Sequence, residues 1–382
     1  MRNLFLILAF VPFLNANESE WIKQLIDEDE TVRKAASSKL VASESPKLER
    51  TLLLKLARAE DPAKIELLKV LTERRSTLVL NAASDLALRN KNEAVRIQAL
   101  STLAALGSVQ ELPLLLDVAV TSRQPPRGKA RQAMIDLKGE EVNEMIGFGL
   151  ESAPDDAMRF ELAAVAKARG AKEAVPGLLR VANSAGTVGP ETRLECLRAL
   201  EDLATLDDLT PLMVIYASEA DLKARAAAGQ VVRTVVLGEP EKGEAAVLNA
   251  HKLSDGRARA GIVRLLAELG GEKPLAVVRA DRTHKDAMVK AAAWRSLVDW
   301  PNAGPAADVL ALAKAAEDET VNEAAFAGYL RMIGLAAEND RPAMFEQAKQ
   351  AARSDAQKEA VAALETPQNA EDEAAKTDEP EE

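Results

Sequence analysis

The chain holds one cysteine and two histidines in 382 residues. The side chains best suited to nucleophilic, redox or metal chemistry can therefore be taken singly. A transition-metal site gathers several imidazoles, thiolates or carboxylates around one ion. Here His251 is followed by Lys252, His284 by Lys285, and Cys196 by Leu197 and Arg198, and two lone histidines with one thiol do not make such a set. Serine, histidine and aspartate are present without a GxSxG elbow, a phosphate-cradling P-loop or an HExxH helix. No catalytic, cofactor-binding or metal-ligating residue is assigned, and no cofactor is expected. The two histidines read as solvated groups near turns. Cys196 cannot form an internal disulfide; it reads as a buried thiol acting as a small apolar residue, with an intermolecular disulfide as the alternative.

The elements that would carry these residues announce themselves by repetition. Residues 92–116 read NEAVRIQALSTLAALGSVQELPLLL, and the pattern VRxxAxxxL returns along the chain. Its central small residue recurs as Ala36, Leu67, Ala99, Ala133, Leu162, Cys196, Ala228, Ile262, Ala293 and Ala325, at intervals of 29 to 34 residues. Within a copy, Val95, Ala99 and Leu103 lie on one helical face. Gly107 and Gly170 suit a left-handed helix end, and Pro113, Pro176, Pro211, Pro274, Pro305 and Pro342 suit the first turn of a second helix. Each copy is thus a helical hairpin too small to bury its own apolar faces, so neighbours must stack. The expected fold is all-α: a right-handed α-α superhelix, a solenoid of about ten hairpins.

Two columns accompany the repeat. Asp29, Glu60, Asn92, Asp155, Asp221, Asp255, Asp286 and Asp318 stand where a helix N-cap is needed, with the second cap able to slip to Asp61. The basic place, four residues after the cap place, holds Arg33, Lys64, Arg96, Arg159, Arg193, Arg225, Arg259 and Lys290. These are read as a ladder bridging to aspartates of neighbouring copies, in preference to a polyanion track. The fourth copy departs, with Ala130 at the basic place after QPPRGK, and the tenth has Asn322 there.

Composition agrees with helix-on-helix packing: 47% of residues are apolar and only 3% aromatic, which disfavours a sandwich or barrel. The net charge is −11, and residues 366–382 hold seven acids against one lysine. An acidic balance argues against nucleic acid as partner. Arg2, the apolar run Leu4 to Leu14 and Ala16 have the layout of a secretory signal peptide cleaved after Ala16; that run is too short to span a bilayer, and no membrane insertion is expected after its removal. The resulting map is a signal peptide at 1–16, a solenoid at 17–353, a capping helix at 354–365 and an acidic disordered tail at 366–382, in a periplasmic or secreted protein.

The run DAMRFELAAVAKARGAKEAVPGLL resembles the HEAT-like helical repeat of the shorter, phycobilin-lyase type, related to ARM repeats, and the likeness extends over about residues 20 to 353. The resemblance implies a scaffold that binds protein partners. Some HEAT-like relatives are enzymes, but the deoxyhypusine hydroxylases use repeated His-Glu pairs that this chain lacks, and the DNA glycosylases use a basic cleft. Exported chains with such repeats often carry a propeller or a haem c domain, and Cys196 has no CxxCH around it. The function expected is a non-enzymatic scaffold; the alternative is an accessory subunit of an exported redox or sugar-processing enzyme whose catalytic domains lie on other chains. For the partner face, the second helices offer Leu114, Leu212, Ile215, Leu275 and Val278, one or four places after their prolines. These are either a binding patch or core between neighbours. Trp294 and Trp300 align with core positions.

Overall fold

Helices start where the carboxylates and amides promised. Asp29, Asn92, Asp155, Asp221, Asp255, Asp286 and Asp318 each accept a backbone N–H of the helix they precede, satisfying donors that a helix leaves open. Glu60 takes the cap position of Asp61–Glu73 but makes no side-chain cap bond. The cap does not slip to Asp61, which is helical and pairs with Lys64 at 3.3 Å.

The computed structural model describes residues 16–364; the expected signal peptide and acidic tail lie outside these residues. Among the described residues there is no β-strand, only an isolated bridge between Ala185 and Val188. The chain divides into two compact units, one ending at Leu203 and the other beginning at Ala204. In the first, the leading helices of the hairpins are Glu30–Ala42, Asp61–Glu73, Glu93–Leu106, Pro126–Asp136, Asp156–Arg169 and Pro190–Leu203, each packed on the next. In the second they are Leu222–Gly238, Gly256–Leu269, Ala287–Val298 and Glu319–Leu335, again packed in sequence. Residues 355–364 are also helical. All ten marker residues, Ala36 through Ala325, are buried on these leading helices. The interior is mostly Ala, Leu and Val, with Trp300 and Tyr329 its largest fully buried side chains.

The two candidate glycines end their helices differently. Gly170 has φ 66° and ψ 33°, the left-handed cap. Gly107 is extended, with φ −72°. There the need is room: an added Cβ would sit 2.4 Å from the Leu103 carbonyl oxygen.

Five cations of the basic column bond backbone carbonyls in place of the expected ladder to neighbouring copies, while Lys64 and Arg259 pair with Asp61 and Asp281 of their own copies. Arg96 donates to the Ala87 carbonyl, Arg159 to Ala153, Arg225 to Glu219 and Ala220, Arg193 to Val188, and Arg33 to Asp27 and Glu28. These oxygens lie at the end of the preceding helix or in the turn after it, where carbonyls lack partners and the helix dipole is negative. A guanidinium one turn into a helix reaches back over the turn more easily than across to another copy. Asn322 performs the same task with a shorter arm, donating to the Ala313 carbonyl while Gln357 donates to its oxygen. A further set of arginines, invisible as a column in the sequence, closes the leading helices: Arg74 bonds the carbonyls of Leu40, Val41 and Ser43, Arg169 those of Met134, Ile135 and Leu137, and Arg331 those of Val298 and Trp300.

Candidate functional site

Two of the three residues singled out for chemistry, Cys196 and His251, are held in the interior. Cys196 lies at 0% exposure on the helix Pro190–Leu203, and burial pushes its thiol up to about 12. Thiolate is the reactive form, so native protein is expected to leave a disulfide reagent such as dithionitrobenzoate unreacted over an hour at pH 8, and to titrate one thiol in denaturant. Rapid native labelling would contradict this placement.

His251 is not the solvated turn residue the sequence suggested. It is buried on Pro240–Leu253, with Nε2 2.7 Å from Asp281 Oδ2. Arg259 closes the other side of the same carboxylate, with Nη2 2.7 Å from Oδ1. Burial alone would raise the Asp281 carboxyl, but hydrogen bonds from Arg259 and His251, with their charges, outweigh it and hold it below the usual value of 3.8. His284 is half-buried, and its Nδ1 accepts the Asp286 backbone N–H at 3.1 Å. Among the described residues no group of three or more His, Cys, Asp or Glu side chains is arranged to hold a metal ion. Trp300 is core, as its alignment implied. Trp294 is only half-buried and lies under the Arg282 guanidinium, 5.4 Å from its ring centre.

The proposed partner positions divide unevenly. Leu212, Ile215, Leu275 and Val278 are buried, and Leu114 is half-buried. These places therefore serve the packing of neighbouring hairpins, and a docked protein would not reach the first four. The physical reason is a phase error of one position. On Leu209–Ser218 the side chain three places after the proline, Val214, is the exposed one at 51%, and the face at one and four places turns inward.

Among the apolar side chains that face solvent in the first unit, which include Ile26, Leu54, Leu78 and Leu88, two share one helix: Met145, 41% exposed, and Phe148, 65% exposed. They lie three residues apart on Glu141–Ser152, hence side by side. The opposite side of this helix explains why they point outward. Gly147 packs so closely that a Cβ there would meet the Glu173 carbonyl oxygen at 3.1 Å, and a Cβ on Gly177 would meet the Gly147 oxygen at 2.6 Å. Backbone-to-backbone packing against Val175–Ala182 leaves the larger neighbours on the free face. Glu141 and Glu144 are exposed beside them.

In the same unit, the irregular fourth copy builds a buried charge centre. Glu161, 1% exposed, receives Arg127 Nη2 and Arg131 Nε at 2.6 Å each. A cleft of about 410 Å³ opens beside it, lined by Val120, Asp156, Phe160 and Glu191 among others. Ala130 stands where most other copies have a cation, and the charge is supplied by Arg127, three residues before it, and Arg131, the residue after it. Sequence reasoning noticed the departure but had no way to pair it with a carboxylate 30 residues on. Phe148 carries no sequence signal of exposure, because a lone aromatic in an apolar helix has the pattern of a core residue.

No protein-family model and no curated protein matches the chain. Solved structures do resemble it. The karyopherin Kap121p bound to the extreme C-terminus of the protein phosphatase Cdc14p aligns with a TM-score of 0.51 at 10% identity, covering 90% of this chain and 45% of that one. Kap121p bound to Pho4p aligns at 0.51 and 11%, covering 91% and 45%. Human deoxyhypusine hydroxylase in complex with glycerol aligns at 16% identity over 74% of this chain and 96% of that one, with a TM-score of 0.27. At such identities the likeness is one of fold, an all-α helical-repeat architecture of HEAT and ARM type. The chain spans just under half the length of Kap121p.

Proposed function

We propose that this chain is a non-enzymatic helical-repeat scaffold that binds a protein partner, and that Met145 and Phe148 are where the partner docks. The observation that carries the reading is the 65% exposure of Phe148. In a chain with 3% aromatic residues, a phenylalanine kept in water beside an exposed methionine offers the kind of anchor on which protein interfaces depend. Exposed Glu141 and Glu144 at its edge select an apolar patch with a basic rim. The fold supports the reading by analogy: Kap121p, of similar architecture, is seen bound to Pho4p and to the end of Cdc14p.

A photoreactive amino acid at 148 in growing cells is expected to give a discrete cross-linked band. With the partner so identified and purified, Phe148→Ser should weaken binding by at least about tenfold while the circular dichroism spectrum stays unchanged. Undiminished binding by that variant would sink the proposal. A redox or sugar-processing enzyme in the band would make the chain its accessory subunit.

Export to the periplasm or the extracellular space is part of the proposal, resting on Arg2, the Leu4 to Leu14 run and Ala16. N-terminal sequencing of the native protein should begin at or near Asn17. An intact Met1 on cytoplasmic material would overturn it.

A further inference from the structure

The second unit carries a basic stretch in which Arg259, Lys273, Arg279 and Arg282 are paired with Asp281, Glu244 and Asp308, while others have no side-chain partner among the described residues. Residues 252–295 hold ten Lys and Arg against five Asp and Glu, although the protein as a whole is acidic. The five acids are committed or stand apart: Asp255 and Asp286 cap helices, Asp281 is buried against His251 and Arg259, Glu268 pairs with Arg233 at 2.6 Å, and Glu272 opens the helix Glu272–Asp281. Arg257, Arg264 and Arg295, with Lys223 beside them, are all exposed. None of the four makes a side-chain hydrogen bond or ion pair among the described residues.

Their positions place them together. Arg257 and Arg264 are seven residues apart on Gly256–Leu269, on one face and about 10 Å apart along the axis. Arg264 and Arg295 each stand two residues after a marker, Ile262 and Ala293, on helices that pack against one another. Lys223 and Arg257 each stand five before a marker, Ala228 and Ile262, on another packed pair. In the first unit the same two places hold only Lys69 and Arg198 as cations, and these are paired with Glu66 and Glu195. Beside the basic face is a cleft of about 240 Å³, edged by Gln230, Arg233 and Arg264. Its wall is Tyr216, whose ring occupies the space a Cβ on Gly261 would need, at 2.2 Å.

We propose that this face is the docking site of the chain's own acidic segment, residues 366–382. The charges are complementary: Glu371, Asp372, Glu373, Asp378, Glu379, Glu381 and Glu382 stand against a single Lys376. The reach is sufficient. The segment follows closely on the helical residues 355–364, and eighteen further residues extend up to about 60 Å. Stacked helices are about 10 Å apart, so the two hairpins between that helix and Ala287–Val298 amount to roughly 20–30 Å. Tethering also gives the segment an effective concentration in the millimolar range, enough for a weak electrostatic contact to be occupied at low salt.

The test uses the full chain with Thr377→Cys, labelled with a fluorophore while the buried Cys196 stays unreactive. At about 20 mM salt, where screening is weak, the label's anisotropy should be high and should fall toward that of a free peptide as salt is raised. Arg257→Glu, Arg264→Glu and Arg295→Glu together should give the low value at every salt concentration with helicity unchanged. The corresponding triple lysine variant should behave as the parent. A label equally mobile in parent and glutamate variant at low salt would overturn the proposal. So would an immobile label in both, which would place the segment elsewhere.

Discussion

Replacing Arg127 and Arg131 together with alanine is expected to lower the unfolding free energy by about 3–5 kcal/mol, the usual consequence of leaving one charge of a buried pair without its partner. Glu161 is 1% exposed, and both of its oxygens are occupied by these two guanidinium groups. The arginines are partly exposed at 42% and 35% of their side chains and could regain water if left alone, whereas the carboxylate could not. The reverse change, Glu161→Gln, should therefore cost clearly less than the double arginine variant. Urea unfolding followed by circular dichroism measures both, and hydrogen exchange over residues 126–169 should show the loss confined to the hairpins around the centre. Equal costs for the two variants would mean that the buried carboxylate is not the group that suffers.

Asp281→Asn should have the second largest effect, about 3 kcal/mol at pH 7, because it removes the charge that His251 and Arg259 share at 2.7 Å each. This loss should depend on pH. The folded carboxyl lies below its ordinary 3.8, so the unfolded chain binds a proton more readily than the folded one. The group then adds stability above about pH 4, and that contribution fades as the pH falls through the lower folded value. The gap between parent and variant should be full at pH 7 and should narrow progressively below pH 4. An equal gap at pH 7 and pH 3 would show that packing, not ionisation, holds the site.

The sequence by itself determined the all-α architecture, the period and the phase of the leading helices. Those features rest on local causes: an aspartate finds its N–H groups within three residues, and an apolar residue every 29 to 34 positions marks the face that each leading helix buries. Ala36 through Ala325 could be recognised as interior because each is flanked by its own periodic pattern. What the tertiary structure alone decided is where side chains go once helices meet. Five arginines of the column turned back to carbonyls in place of forming a ladder, because a free carbonyl one turn away competes better than a carboxylate on another hairpin, while Arg259 took the Asp281 carboxylate of its own hairpin. His251 became a buried partner of Asp281, 30 residues on, and Leu212 and Ile215 turned inward while Val214 and Phe148 turned out. A second helix that is apolar nearly all round gives no angular signal of its own, so its wet side is set by the backbone contact it makes, as Gly147 and Gly177 show. Pairings such as Glu161 with Arg127 and Arg131 likewise follow from the stacking of one hairpin on the next, a distance that no local pattern records.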